Sequence, residues 1–206
     1  MKKYVLLFVL LASVAWGIEV GGLVGVNYQS WDDGNGNVGS GVGLHAGILG
    51  GIGITPSCLP VYIGAETGFL IQSAKYTWET GFGGVDLILK YNNVVIPVLL
   101  KATLKPSGGF HIGAGLGPSF SIHTSGATGI GNDNWNSMVD IPEDDLKTDV
   151  GFQIKGDVGI KLIPILWLKP SVTLQLNGNP DNPFNQDERV GAETALFFAL
   201  GLALKI

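Results

Sequence analysis

Residues 191–206, GAETALFFALGLALKI, alternate without a break. Thr194, Leu196, Phe198, Leu200, Leu202, Leu204 and Ile206 fall on one side, and Ala195, Phe197, Ala199, Gly201, Ala203 and Lys205 on the other. A period of two is that of an extended strand, whose successive side chains point to opposite faces. The same alternation recurs along the chain. It predicts strands over 19–28, 42–54, 62–74, 85–105, 110–123, 149–162 and 167–177 in addition to the closing one. In each, Val, Ile, Leu and Phe occupy one parity, while Gly, Ser and the charged residues occupy the other. Residues 110–123 show it plainly: Phe110, Ile112, Ala114, Leu116, Phe120 and Ile122 oppose His111, Gly113, Gly115, Gly117, Ser119, Ser121 and His123.

Between the strands the connections alternate in length. Polar, glycine-rich loops are expected at 32–40, 75–85, 124–147 and 178–190, and short turns at 55–60, 105–109 and 163–165. About eight antiparallel strands with long and short connections in turn predict an eight-stranded antiparallel up-and-down transmembrane β-barrel. An even strand number puts both chain ends on the periplasmic side, with the long loops outside. Parity alone does not say which face points inward, since a soluble ligand-binding barrel would put the apolar face inside. Size decides: eight strands enclose a space only just filled by side chains, so the small and polar face belongs inside. Tyr28, Trp31, Tyr76 and Trp78 toward the outer rim, and Tyr62, Phe110 and Trp167 toward the inner one, are then expected as interfacial girdles.

Composition agrees with a membrane barrel. The 206 residues include 32 Gly, are 46% hydrophobic and only 14% charged, and the mean hydropathy is +0.33. Past the N-terminus no run approaches the roughly 18 to 20 apolar residues that a spanning helix needs. Lys2 and Lys3, an apolar core over 4–14 and small residues at Ser13, Ala15 and Gly17 read as a cleaved secretory signal over 1–17, leaving 18–206 as one barrel domain. Cys58 is the single cysteine, which excludes an internal disulfide. Without Lys2 and Lys3 the formal charge of −5 becomes −7, which argues against a nucleic-acid partner.

With the strands placed, the chain resembles the porin-family outer-membrane β-barrels, the small OmpA/OmpX-like and PorT-like group. Val94 to Lys101, VVIPVLLK, is similar to that group's E-I-P-L-L-L-K strand, with Val95 where Glu is common; Gly113 to Pro118, GAGLGP, and Asp149 with Gly151 support it. The closing strand resembles the family's C-terminal strand, which carries the assembly signal, although it ends in Ile206 rather than Phe. The resemblance implies outer-membrane lipids as surroundings and the barrel assembly machinery as a partner through the C-terminal strand.

Candidate chemistry follows from the inward parity. Glu19, Glu66, Asp157 and Glu193 share it with Lys101, Lys155, Lys161, Lys169, His45, His111 and Gln153. Charges withdrawn from water need partners, so a lumenal network of ion pairs and hydrogen bonds is expected, acting as a structural plug in preference to an ion path. His123-Thr124-Ser125 is similar to the His-x-Ser of lipid A deacylases, but Gly126 replaces the usual Asn and parity turns His123 inward. The triplet Asp33-x-Asn35-x-Asn37 imitates the start of a calcium loop and then fails, with Val38 and Leu44 where Gly and Glu are required. The loop residues Asp33, Trp135, Asp144 and Asp145 are candidates for contact with an extracellular partner. No catalytic set, metal site or cofactor is expected. The reading is a non-enzymatic envelope or surface-interaction protein, with a narrow solute channel, a lipid A-modifying enzyme and a secreted binding barrel as rivals.

Overall fold

The computed structural model describes residues 17–32, 38–55, 60–79, 86–105, 109–131, 138–142, 146, 148–178 and 192–205. Apart from Gly17, the segment read as a signal lies outside them. Nine strands follow one another: β1 Ile18–Asp32, β2 Val38–Gly53, β3 Val61–Glu79, β4 Asp86–Leu104, β5 Phe110–Gly131, β6 Val139–Asp140, β7 Thr148–Ile163, β8 Leu166–Gly178 and β9 Ala192–Lys205. Every neighbouring pair is antiparallel, and β1 pairs with β9 from Glu19↔Lys205 to Trp31↔Glu193. That last ladder, with β4–β5 and β5–β7, closes the sheet. The barrel has eight staves, β1 to β5 and β7 to β9; β6 is a two-residue addition to β5 through Ala127↔Asp140 and Thr128↔Val139. Closure satisfies the backbone without leaving an edge in lipid.

Exposure settles which face is which. Val24 is 63% exposed, Leu44 67%, Phe69 64% and Ile71 67%, whereas Glu66 is 5%, Lys155 7% and Asp157 3%. The bulky apolar parity points outward and the charged parity inward, opposite to a soluble ligand-binding barrel. An apolar exterior of this extent on a closed barrel is a lipid-facing belt.

The strands outrun the expected loops at the end away from the termini, here the far end. Residues 75–79 belong to β3 and 124–131 to β5. The extension of β5 is poor in large apolar residues, so periodicity did not reveal it, yet it is laddered to β4 from Asp86↔Gly131 to Asn92↔Ser125. β5 holds 22 residues, which is about 70 Å of strand, roughly twice what a ~25 Å apolar band requires at the usual tilt. β3, β4 and β5 therefore stand as a wall above the rest of the far rim.

Four of the seven aromatic residues depart from the girdle expectation, and the side chain of Trp78 lies outside those described. Trp31 and Tyr76 turn inward, 4% and 3% exposed, and meet edge to face with ring centroids 5.9 Å apart. With Ala74 and Leu89 they form an apolar cluster inside the far mouth, joined by Leu87, Tyr91 and Ile141. Ile141 is held there by its own N–H, which donates to the Gly126 carbonyl at 2.9 Å. At the terminal end the Trp167 and His111 rings meet at a tilt of 44° with centroids 4.8 Å apart, and Tyr62 lies beneath the ammonium groups of Lys105 and Lys205. Parity explains all four: Trp31 shares the face of Glu19, Tyr76 and Tyr62 that of Glu66, and Trp167 that of Lys169. Tyr28, 50% exposed, and Phe110, 37% exposed, do face outward.

Candidate lumenal site

The inward charges join in one alternating chain across the barrel. Lys155 Nζ of β7 lies 2.5 Å from Glu66 Oε1 of β3, and Lys101 Nζ of β4 donates to Glu66 Oε2 at 3.0 Å. Lys101 also approaches Asp157 Oδ2 of β7 at 2.5 Å, whose Oδ1 faces Lys169 Nζ of β8 at 3.7 Å. Lys169 in turn donates to Glu19 Oε1 of β1. Three carboxylates and three ammonium groups thus alternate, each flanked by opposite sign, which is the condition for holding charge away from water.

Glycine makes the room. A Cβ on Gly113 would lie 2.8 Å from both Asp157 Oδ2 and Lys101 Cε, and one on Gly159 would lie 1.9 Å from the His111 ring. These two inward glycines are the spaces into which Asp157, Lys101 and His111 fold from the adjoining strands.

A second chain, built mainly of amides, lies nearer the far mouth. Gln153 Nε2 donates to Gln175 Oε1 at 2.7 Å, and Gln175 Nε2 donates to Ser121 Oγ at 3.1 Å and Asn177 Oδ1 at 2.8 Å. Asn177 Nδ2 donates to Glu193 Oε2 at 2.6 Å, and the Tyr76 hydroxyl donates to Glu193 Oε1. Beside it His123 Nε2 pairs with Asp149 Oδ2 at 2.8 Å under the Tyr91 ring. Leu23, Leu49, Leu70, Pro97, Leu99 and Phe197 fill the level between the two chains, around a cavity of about 20 Å³. A second cavity of about 30 Å³ lies beside Glu19, Asp157 and Lys169. Each has room for one or two waters.

The structure gathers Glu19, Glu66, Lys101, Lys155, Asp157 and Lys169 into the ionic chain, and Gln153 and Glu193 into the amide chain. His111 reaches Asp157 Oδ1 only at 3.8 Å, with its ring against Trp167. His45 stands apart, edge-on to Phe197 at 5.1 Å. Lys161 is a correction: it is exposed at the terminal rim, because the inward parity there has run out of lumen. Asp33, Trp135, Asp144 and Asp145 lie outside the described residues. Sequence reasoning left Gln175, Asn177 and Ser121 out of the network and set Tyr76 in the girdle, although their parity would have included all four.

The His-x-Ser resemblance dissolves in the geometry. β5 and β4 shift register between Asn92 and Asn93. His123 turns inward to Asp149, while Ser125 is exposed and accepts from Asn92 Nδ2 at 2.9 Å. The hydroxyl and imidazole that acyl transfer would couple are thus engaged elsewhere.

Closed antiparallel ladders, an apolar exterior and a charge-paired interior define an outer-membrane β-barrel, and that is the class of this protein. No family model matches the chain, and no curated protein matches it. Among solved structures it is similar to Neisserial surface protein A at 11% identity, over 92% of this chain and 97% of that one, with a TM-score of 0.46. It is also similar to the outer membrane protein OprG from Pseudomonas aeruginosa, at 12% identity over 94% and 96% with a TM-score of 0.45. The attachment invasion locus protein Ail of Yersinia pestis matches at 8% identity over 91% and 98%, with a TM-score of 0.41. The class rests on this chain's own ladders and faces.

Proposed function

We propose that the protein is a non-conducting barrel that supports the envelope and displays its far end, directed out of the cell, as a recognition surface. The observation that carries this reading is the filled lumen. Aromatic cap, amide chain, apolar level, ionic chain and a second aromatic cap succeed one another, with water-sized cavities between them. An interior so occupied supports a plug. What the molecule offers a partner is then its rim, where β3, β4 and β5 rise highest and the connecting sequences carry Asp33, Trp135, Asp144 and Asp145. The same filled lumen and the diverted His123 disfavour the channel and enzyme readings.

A deletion strain complemented either by the full chain or by a barrel with residues 132–137 and 180–190 replaced by short turns tests both halves. The account expects the trimmed barrel to restore resistance to detergent while failing to restore surface adherence. A deletion that changes neither property would contradict it.

A further inference from the structure

Between β2 and β3 side chains stand in for the backbone. The two strands pair at Ser40↔Thr77 and again from His45↔Gln72 to Gly53↔Gly64 in one register. That register would set Leu44 opposite Ser73 and Gly43 opposite Ala74, but among the described residues the ladder is interrupted over 41–44 and 73–76. There the Ser73 hydroxyl takes the part of its own main chain. The Leu44 N–H donates to Ser73 Oγ at 2.9 Å, and Ser73 Oγ donates to the Leu44 carbonyl at 3.3 Å. The Ser73 carbonyl is served from inside the lumen instead, by Asn27 Nδ2 at 3.2 Å and Gln29 Nε2 at 3.4 Å. Both amides belong to β1, in register with Gly43 and Gly41 of β2. They reach β3 because those glycines are bare: a Cβ on Gly43 would lie 2.0 Å from the Ser73 carbonyl oxygen and 2.5 Å from Asn27 Oδ1.

Behind this interruption the lumen is short of hydrogen-bonding partners. Asn27 Oδ1, Gln29 Oε1, both amide atoms of Gln72 and Asn93 Oδ1 are buried, and none is paired among the described residues. Gln72 stands in register with Asn93 on one side and with His45 on the other, and His45 Nδ1 is likewise buried and unpaired. The closed wall therefore withholds water from a contiguous set of amides, which is costly. Parting the strands here breaks the two Ser73–Leu44 bonds and hydrates those amides, so the gain offsets the loss. The unbroken ladder from Gly47↔Leu70 to Gly53↔Gly64 has side chains of another kind behind it, Leu49, Glu66 and Leu70, and no such compensation.

We propose that β2 and β3 part locally over 41–44 and 73–76, a breathing seam in the barrel wall through which water exchanges with the buried amides. The seam lies at the far hem of the apolar belt, where Val42 and Leu44 meet Ser73. The ionic chain of Glu66, Lys101 and Lys155 is nearer the termini and stays in place, so opening the seam does not open the axis. The proposal is independent of any partner at the far rim.

Residue-resolved amide hydrogen exchange on the full barrel refolded into lipid nanodiscs tests it. The Leu44 N–H is expected to exchange about tenfold or more faster than that of Ile48, which occupies the same kind of position one full repeat along the intact ladder. Ser73→Ala should hasten Leu44 exchange by about a further fivefold. Gln72→Leu, which removes an amide that opening would hydrate, should slow it, and Asn93→Leu should act in the same direction; heat-modifiable gel mobility verifies that each variant is folded. A Leu44 amide as protected as Ile48 in the unmodified chain would overturn the proposal. So would exchange that Gln72→Leu and Asn93→Leu leave unchanged or hasten, since the buried amides would then not drive the opening.

Discussion

Glu66 holds two ammonium groups at once, Lys101 from β4 and Lys155 from β7, and is itself 5% exposed. Removing it leaves Lys155 buried without its carboxylate, the costly half of any buried ion pair. Glu66→Leu is therefore expected to lower stability by about 3 kcal/mol, read as the shift in urea unfolding of barrel refolded into lipid vesicles. Lys161→Gln, at the exposed rim, should stay within about 0.5 kcal/mol of the parent. Equal effects would mean that the ionic chain is incidental to folding. The Tyr76 hydroxyl gives a second contrast. Tyr76→Phe keeps the ring against Trp31 but leaves Glu193 with Asn177 as its remaining donor, and about 1–3 kcal/mol should be lost in the same measurement.

Along an element, neighbouring residues meet different solvents. Leu200 of β9 is 53% exposed on the belt, whereas Ala199 and Gly201 beside it face the lumen. Leu200→Arg should cost about 2–4 kcal/mol in vesicle refolding if the belt lies in hydrocarbon, and nearly nothing if it does not. Period-two alternation made this face legible in the sequence, and with it the strand count and the membership of the ionic chain, because Lys, Glu and Asp on an otherwise small-residue parity stand out. Other features were not legible for a physical reason. The far parts of β3 and β5 lack large apolar residues, so their strand character comes from the ladder to β4 rather than from their own pattern. Trp31, Tyr76, Tyr62 and Trp167 looked like girdle residues because aromatics near strand ends have two homes, the interface and the mouth. Their parity already chose the mouth. Nor could one strand's spacing reveal the pairing of Lys155 with Glu66, which is set by the folding of side chains across a lumen that glycines leave open.

For the whole molecule, the barrel is a stack of levels: an apolar cluster inside the far mouth, amides beneath it, an apolar level between the two polar chains, and ion pairs toward the termini. On the proposed reading such a stack is a scaffold that leaves recognition to the far rim. At the far rim β3, β4 and β5 are raised; at the terminal rim the ammonium groups of Lys105 and Lys205 lie over the Tyr62 ring. The central claim is that the lumen does not conduct, the described side chains filling it around cavities of about 20 and 30 Å³. Planar-bilayer recording of the refolded barrel, with insertion verified by heat-modifiable gel mobility, addresses it most directly. The account predicts inserted protein with no unitary current steps in molar salt. Reproducible steps of fixed size that vanish when Glu66 or Lys101 is replaced would contradict it, making the ionic chain a conduction path.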